Sequence, residues 1–230
     1  MTELPRRQLN RIAKEKRILD AALTVFSRMG YSGCTMDAVA AEAGLSKPTL
    51  YQYFPAKDAL FAAMMAAKRD EMMFGLDHPS PRGMVDDLWT FSWNYADTVM
   101  RPDLLSLARL IIGEVQRFPE IGWTYQASGP DRMLRGIMEY LTAQREAGRL
   151  VFDDAELAAQ DLWGLILSAP RTQALYMPDA IPARAELDRY IRNGLHVFLR
   201  AYSTTPDADL ARLTQLTPPP PNAFGANTRD

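Results

Sequence analysis

Apolar residues recur along this chain at three- and four-residue spacing almost from end to end, which is the period of helices. Between about Gln8 and Met29, Ile12, Leu19, Leu23 and Phe26 share one face, and Gly30 closes the run. Met36, Val39, Ala40 and Ala43 repeat the pattern after Thr35, and Leu45, Leu50 and Phe54 repeat it again. Pro55 interrupts; Lys57-Asp58 then opens a longer helix through Leu60, Phe61, Met64, Met65 and Met72 to about Phe74. Further helices are expected at about 83–100, 102–118 and 129–147. They part at Arg101-Pro102, Phe118-Pro119 and Gly129-Pro130, because a residue ahead of proline is pushed away from helical geometry. Gly148 ends the third, and Asp153-Asp154 begins another that lasts to about Leu175. The last, about 184–202, carries Leu187, Tyr190, Ile191, Gly194, Leu195, Phe198 and Tyr202 on one stripe. No segment combines strand alternation with turn chemistry, so the pattern predicts an all-α fold. From Ser203 on, Pro, Thr, Asn and Asp dominate, and 204–230 reads as a disordered tail.

The most specific chemistry lies between Thr35 and Phe54, which read as a helix-turn-helix. Thr35 is an N-cap with Asp37 in the positively polarised first turn. Gly44 stands where the chain must leave the first helix in a left-handed conformation. Ser46 caps the second helix, and Pro48 falls in its first turn, where no intrahelical partner is lost. Leu45, Leu50 and Phe54 can face the first helix, leaving Lys47, Thr49, Tyr51, Gln52 and Tyr53 on or beside the outer face. Glutamine can pair bidentately with adenine, and threonine can meet a base edge or a thymine methyl. Tyr, Lys and Ser groups suit phosphates, which position a protein without carrying sequence information. The plainer alternative is a helical hairpin with exposed tyrosines, on which two tyrosines flanking Gln52 would make poor sense.

Charge sharpens this. The net charge of −2 hides a split: residues 1–60 hold nine Lys/Arg against six Asp/Glu, so the remainder is −5. Six of those cations precede residue 18, a basic arm fit for phosphate neutralisation or merely for solubility. No apolar run is long enough for a membrane span, and no apolar region follows the charged N-terminus, so neither a membrane partner nor a signal peptide is expected. A lone cysteine, Cys34, excludes an internal disulfide and suits a reducing, cytoplasmic setting. His78 and His196 are too far apart for zinc-site spacing, and no nucleophile–base set or Gly-rich phosphate loop appears. Asp86-Asp87 and Asp153-Asp154 read as helix-start acids. No enzyme, metal or cofactor is expected.

With Arg17-Ile18-Leu19-Asp20-Ala21-Ala22, Phe26, Gly30-Tyr31, Thr35 to Ala40, Ala43 to Ser46, Thr49 to Phe54 and Lys57 to Leu60 in view, the chain resembles the TetR family of transcriptional regulators. Ile112-Gly113-Glu114, Arg117 to Glu120 and Ala147 to Leu150 resemble its AefR-like subset. The resemblance implies a homodimer on a palindromic double-stranded operator, released by a small-molecule effector, most simply as a repressor. It implies a DNA-binding domain over 1–60, a ligand-sensing and dimerisation domain over 61–203, and the tail. By the same likeness Ser46, Lys47, Thr49, Tyr51, Gln52, Tyr53 and Lys57 contact DNA, with Thr35 reaching a phosphate. Pro48 and Ala56 depart from the family's usual residues, which blurs that contact list.

Two assignments stay open between a functional and a packing role. Leu165, Leu187, Tyr190, Ile191, Leu195 and Phe198 are candidates for a four-helix dimer interface or for internal core. Trp89, Trp93, Trp123 and Trp163, with Arg109, Glu114 and Asp161, are candidates for an effector pocket taking a lipophilic molecule, or again for core. A helical adaptor that binds protein through the motif, without operator-specific DNA binding, is the other functional class.

Overall fold

The computed structural model describes residues 6–220, which fold into eleven α-helices joined by turns. The first five are α1 (Arg6–Gly33), α2 (Met36–Glu42), α3 (Lys47–Tyr53), α4 (Lys57–Asp77) and α5 (Met84–Val99). They are followed by α6 (Pro102–Glu114), α7 (Pro119–Ser128) and α8 (Pro130–Glu146). The chain closes with α9 (Ala155–Tyr176), α10 (Arg184–Tyr202) and α11 (Pro206–Gln215). Two compact units result: the residues up to Lys68 together with Pro102–Gly129, and Arg69–Arg101 together with the residues from Pro130 on. Helices α6 and α7 fall in the same compact unit as the N-terminal helices.

In the first unit, the apolar faces of α1 to α4 close on Ile18, Val25, Phe26, Val39, Leu50, Leu60 and Phe61, and Leu107, Ile111 and Ile121 complete that core. Ile12, expected on the buried face of α1, is half exposed, because the first turns of α1 run ahead of the core. The connection from α1 to α2 is gripped from both sides. Glu114, at the end of α6, accepts from the Ser32 backbone N–H at 3.1 Å and its hydroxyl at 2.9 Å. Lys57 donates to the carbonyls of Tyr31 at 2.9 Å and Cys34 at 3.3 Å, with its ammonium 4.4 Å from the Tyr31 ring centre.

Sequence periodicity gave no warning of α7. Between Phe118-Pro119 and Gly129-Pro130 only Ile121 is deeply buried, so the helix carries almost no apolar stripe; Pro119 simply supplies its first turn.

The second unit stacks α9 and α10 and packs both against α5. Leu187, Ile191, Leu195 and Phe198 are closed inside this core, each at most 6% exposed. Their stripe serves the chain's own packing, which removes them from the set of residues available to a partner. Leu165 stays exposed and Tyr190 half-buried.

The tail is also corrected. Pro206 starts α11, Asp207 and Asp209 lie in its first turn, and Leu210 and Leu213 are buried. Arg212 forks onto both oxygens of buried Asp86 at 2.7 and 2.8 Å. Local composition reads as disorder, but the long-range ion pair and two leucines decide otherwise. Residues 221–230 lie outside the described residues.

The neighbouring acid, Asp87, is buried as well; it accepts from the Ser80 N–H at 2.6 Å and the Tyr140 hydroxyl at 2.8 Å. Both acids of this pair are thus structural.

Candidate nucleic-acid interface

The helix-turn-helix is built by local chemistry that the structure spells out. Thr35 Oγ1 accepts from the Ala38 N–H at 3.1 Å and caps α2. Gly44 takes φ 62°, a conformation that costs a residue with a Cβ, and turns the chain into Leu45. Ser46 caps α3, accepting from the Thr49 N–H at 3.4 Å and sharing a hydroxyl bond of 2.7 Å with Thr49 Oγ1. Leu50 and Phe54 are buried and Leu45 packs against the same core, which fixes the rotation of α3 about its axis. That rotation leaves Ser46, Lys47, Tyr51 and Gln52 exposed and Thr49 and Tyr53 half-buried. Lys47 pairs with Asp37 across the motif at 2.8 Å, and this hydrogen-bonded ion pair strengthens the ammonium's hold on its proton.

The basic segment is not an arm. Helix α1 already begins at Arg6, so its cations stand at fixed positions on a helix. Arg7, Arg11 and Lys14 line an open groove of about 700 Å³ whose far wall is Tyr53 of α3. Sequence charge flagged these residues, but only the fold puts Arg11 and Lys14 beside the recognition helix. Lys57 moves the other way. Its ammonium is half-buried and committed to the Tyr31 and Cys34 carbonyls, so it braces the end of α1 rather than joining the outward face.

The residues expected around an effector pocket fall in both units. Arg109, Glu114 and Trp123 lie in the first unit, and Trp89, Trp93, Asp161 and Trp163 in the second. Glu114 is taken by Ser32, and Trp123 is 76% exposed. Asp161 accepts a hydrogen bond from Tyr202, whose hydroxyl is pushed up to about 12 by that bond and by burial. Trp163 meets Tyr95 edge to face at 6.1 Å, and Trp89 and Trp93 lie buried under two arginines.

Cys34 sits 2% exposed beside the motif, and burial pushes its thiol up to about 11 against a nearby lysine that pulls it down. The folded state therefore holds this proton more tightly than the unfolded chain, whose thiol ionises near 9. Its contribution to stability is complete below pH 9 and is lost as pH rises towards 11. At pH 8 the native thiol is expected to resist a disulfide reagent for hours and to react within minutes once denaturant is added. Stoichiometric reaction in native buffer would refute this.

Known proteins match in two stretches. The profile described as bacterial regulatory proteins, tetR family, covers residues 18–64, and the AefR-like transcriptional repressor C-terminal domain covers residues 86–204. The regulator RutR of Escherichia coli K12 is 47% identical over 53 residues, 23% of this chain and only 25% of that relative's length. The repressor SCO4008 of Streptomyces coelicolor is 27% identical over 158 residues, 68% of this chain and 76% of its own. Among solved structures, the flavonoid-responsive regulator FrrA superposes with a TM-score of 0.63 at 30% identity, covering 84% of this chain and 98% of FrrA. None of the described helices is long and apolar enough to cross a membrane. With both domains matched and the recognition helix capped and presented as above, the chain belongs to the TetR family: it is a transcriptional regulator with a helix-turn-helix DNA-binding domain, not an enzyme.

Proposed function

We propose that this regulator is a homodimeric repressor that reads a palindromic operator and is released by a small lipophilic effector. The observation that carries the DNA half is the pairing of an exposed Gln52 and Tyr51 on a rigidly capped α3 with the cationic start of α1. In this reading Gln52 and Thr49 meet base edges. Ser46, Lys47, Tyr51, Tyr53 and Thr35 meet phosphates, joined by Arg7, Arg11 and Lys14.

Two copies would place their recognition helices about 34–36 Å apart, one turn of duplex. Support for the dimer comes from the exposed side of α9 and α10. There Gly164, Leu165, Ser168, Ala169, Tyr176 and Tyr190 line an open groove of about 650 Å³. Small and apolar side chains on a solvent-facing helix pair are suited to close contact with a second copy. Repression is favoured by the relative SCO4008, named a repressor, and effector control by FrrA, named flavonoid-responsive. The effector would act through its preference for the conformation in which the two reading helices are mis-spaced.

Binding to an operator selected from random duplexes, measured against salt, tests this reading. With several cations per protomer on phosphates, log affinity should fall with log salt at a slope of about −5 to −9. It should also exceed random-DNA affinity by about a thousandfold or more. A flat salt dependence, or equal affinity for random sequence, would return the motif to the class of protein-binding adaptors.

A further inference from the structure

Beyond residue 204, where the family's C-terminal match ends, the chain continues as α11 and then as an extended strip from Leu216 to Pro220. Leu216 sits at φ −76° and ψ 140°, which is polyproline II geometry, and in the sequence the run Pro218 to Pro221 follows Thr217. A polyproline II segment makes no internal hydrogen bonds and proline brings no N–H, so such a strip offers its partner carbonyl oxygens.

The surface under the strip answers with donors. Trp89 Nε1 donates to the Thr217 carbonyl at 3.1 Å. Arg192 donates to the carbonyls of Leu213 at 2.9 Å and Leu216 at 2.6 Å, and Arg184 donates to that of Pro219. Both guanidinium groups lie over indole rings, Arg192 4.6 Å from the centre of Trp89 and Arg184 4.2 Å from that of Trp93. Carboxylates fix them there: Asp188 holds Arg192 at 2.8 Å and Asp97 holds Arg184 at 2.6 Å. The two indoles meet edge to face at 5.9 Å. Donors stacked on indole rings and spaced along a row of carbonyls can grip a proline-rich chain through its backbone.

We propose that Trp89, Trp93, Arg184 and Arg192 form a binding groove for proline-rich peptide, with the chain's own Leu216–Pro220 strip as its resident ligand. An external proline-rich segment enters by displacing that strip. Helix α11 is the tether, docked through Leu210, Leu213 and the Arg212–Asp86 pair. A tethered ligand competes at an effective concentration of millimolar order, so loosening the tether opens the groove to outsiders.

The test titrates full-length protein with a synthetic peptide of residues 212–220, following tryptophan fluorescence. Amide hydrogen exchange reports separately on 206–217 and on α9 and α10. Saturation is expected near about 1 mM in wild type and about tenfold lower in Leu213→Ala, with exchange over 206–217 rising as peptide enters. Trp89→Phe keeps a ring and removes the donor; exchange over 206–217 should quicken about fivefold without peptide. A peptide with alanine at the three proline positions should bind about tenfold more weakly, since it must be ordered into the extended form. Equal binding of the alanine peptide overturns the proposal. So does absence of saturation with Leu213→Ala at about 5 mM while α9 and α10 exchange as in wild type. Should Leu213→Ala unfold, Arg212→Lys, which gives up the two-pronged grip on Asp86 but keeps the charge, is read by the same two outcomes.

Discussion

Gln52→Ala is expected to weaken operator binding by about 2–6 kcal/mol, because a bidentate contact worth about 1–3 kcal/mol is lost once in each half-site. That corresponds to a drop of about thirtyfold to twenty-thousandfold. Two further readouts separate base reading from a general loss. Preference at one base pair per half-site should relax, while the salt slope should not move, because glutamine neutralises no phosphate. Lys47→Ala should do the reverse: a slope shallower by about two for the dimer, with sequence preference intact. The Lys47 effect is compounded by Asp37, which loses its partner 2.8 Å away and stands as an uncompensated negative charge on the DNA-facing motif. Competition binding of both variants against a panel of single-base operator variants measures all three quantities. Should Gln52→Ala match wild type in affinity and in preference, the assignment of α3 as the base reader fails.

What could be read from the sequence divides along a physical line. The helix-turn-helix was legible because each of its devices is local. Thr35 and Ser46 cap helices that begin one residue later, and Gly44 supplies a single left-handed residue between them. The stripe on α10 was legible only in part. Periodicity shows that Leu187, Ile191, Leu195 and Phe198 share a face, but not whether that face meets its own chain or another; they meet their own chain. The surface that remains open is lined by Leu165 and Ala169 together with Gly164 and Ser168, two residues that carry no apolar signal. Lys57 shows the same limit for charge, since a lysine bound to two backbone carbonyls has the same spelling as one that waits for a phosphate. Trp89, Trp93, Trp123 and Trp163 stand in the sequence as candidates for pocket lining or for core, and the sequence does not say what covers them. The covers of the first two, Arg184 and Arg192, come from a helix some ninety to a hundred residues further on, a pairing that no local window holds.

Gly194→Ala should lower stability by about 3 kcal/mol, since the added methyl is overpacking against atoms that cannot rotate away. A Cβ at this position would stand 2.7 Å from the Leu165 carbonyl carbon and 3.0 Å from the Ile166 nitrogen, both backbone of α9. Relief requires the two helices to part, and that loosens Ile191, Leu195 and Ile166, all fully buried along the same seam. Alanine's better helix propensity returns about 1 kcal/mol at most, too little to reverse the sign. In a chain of this size the loss corresponds to a fall in Tm of about 6–12 °C. Gly164, on the same helix as Leu165 but facing outward, has nothing within 4 Å of its would-be Cβ. Gly164→Ala should therefore leave the protomer as stable as wild type, or raise its stability by about 0.5–1 kcal/mol. If α9 is the surface on which two copies meet, the same methyl obstructs their approach, so sedimentation equilibrium should show weaker dimerisation in a better-folded protomer. Thermal unfolding and sedimentation of both variants separate the two seams of α9. A Gly164→Ala protein with unchanged dimerisation would move the dimer contact away from that face, while Gly194 would keep its role inside the protomer.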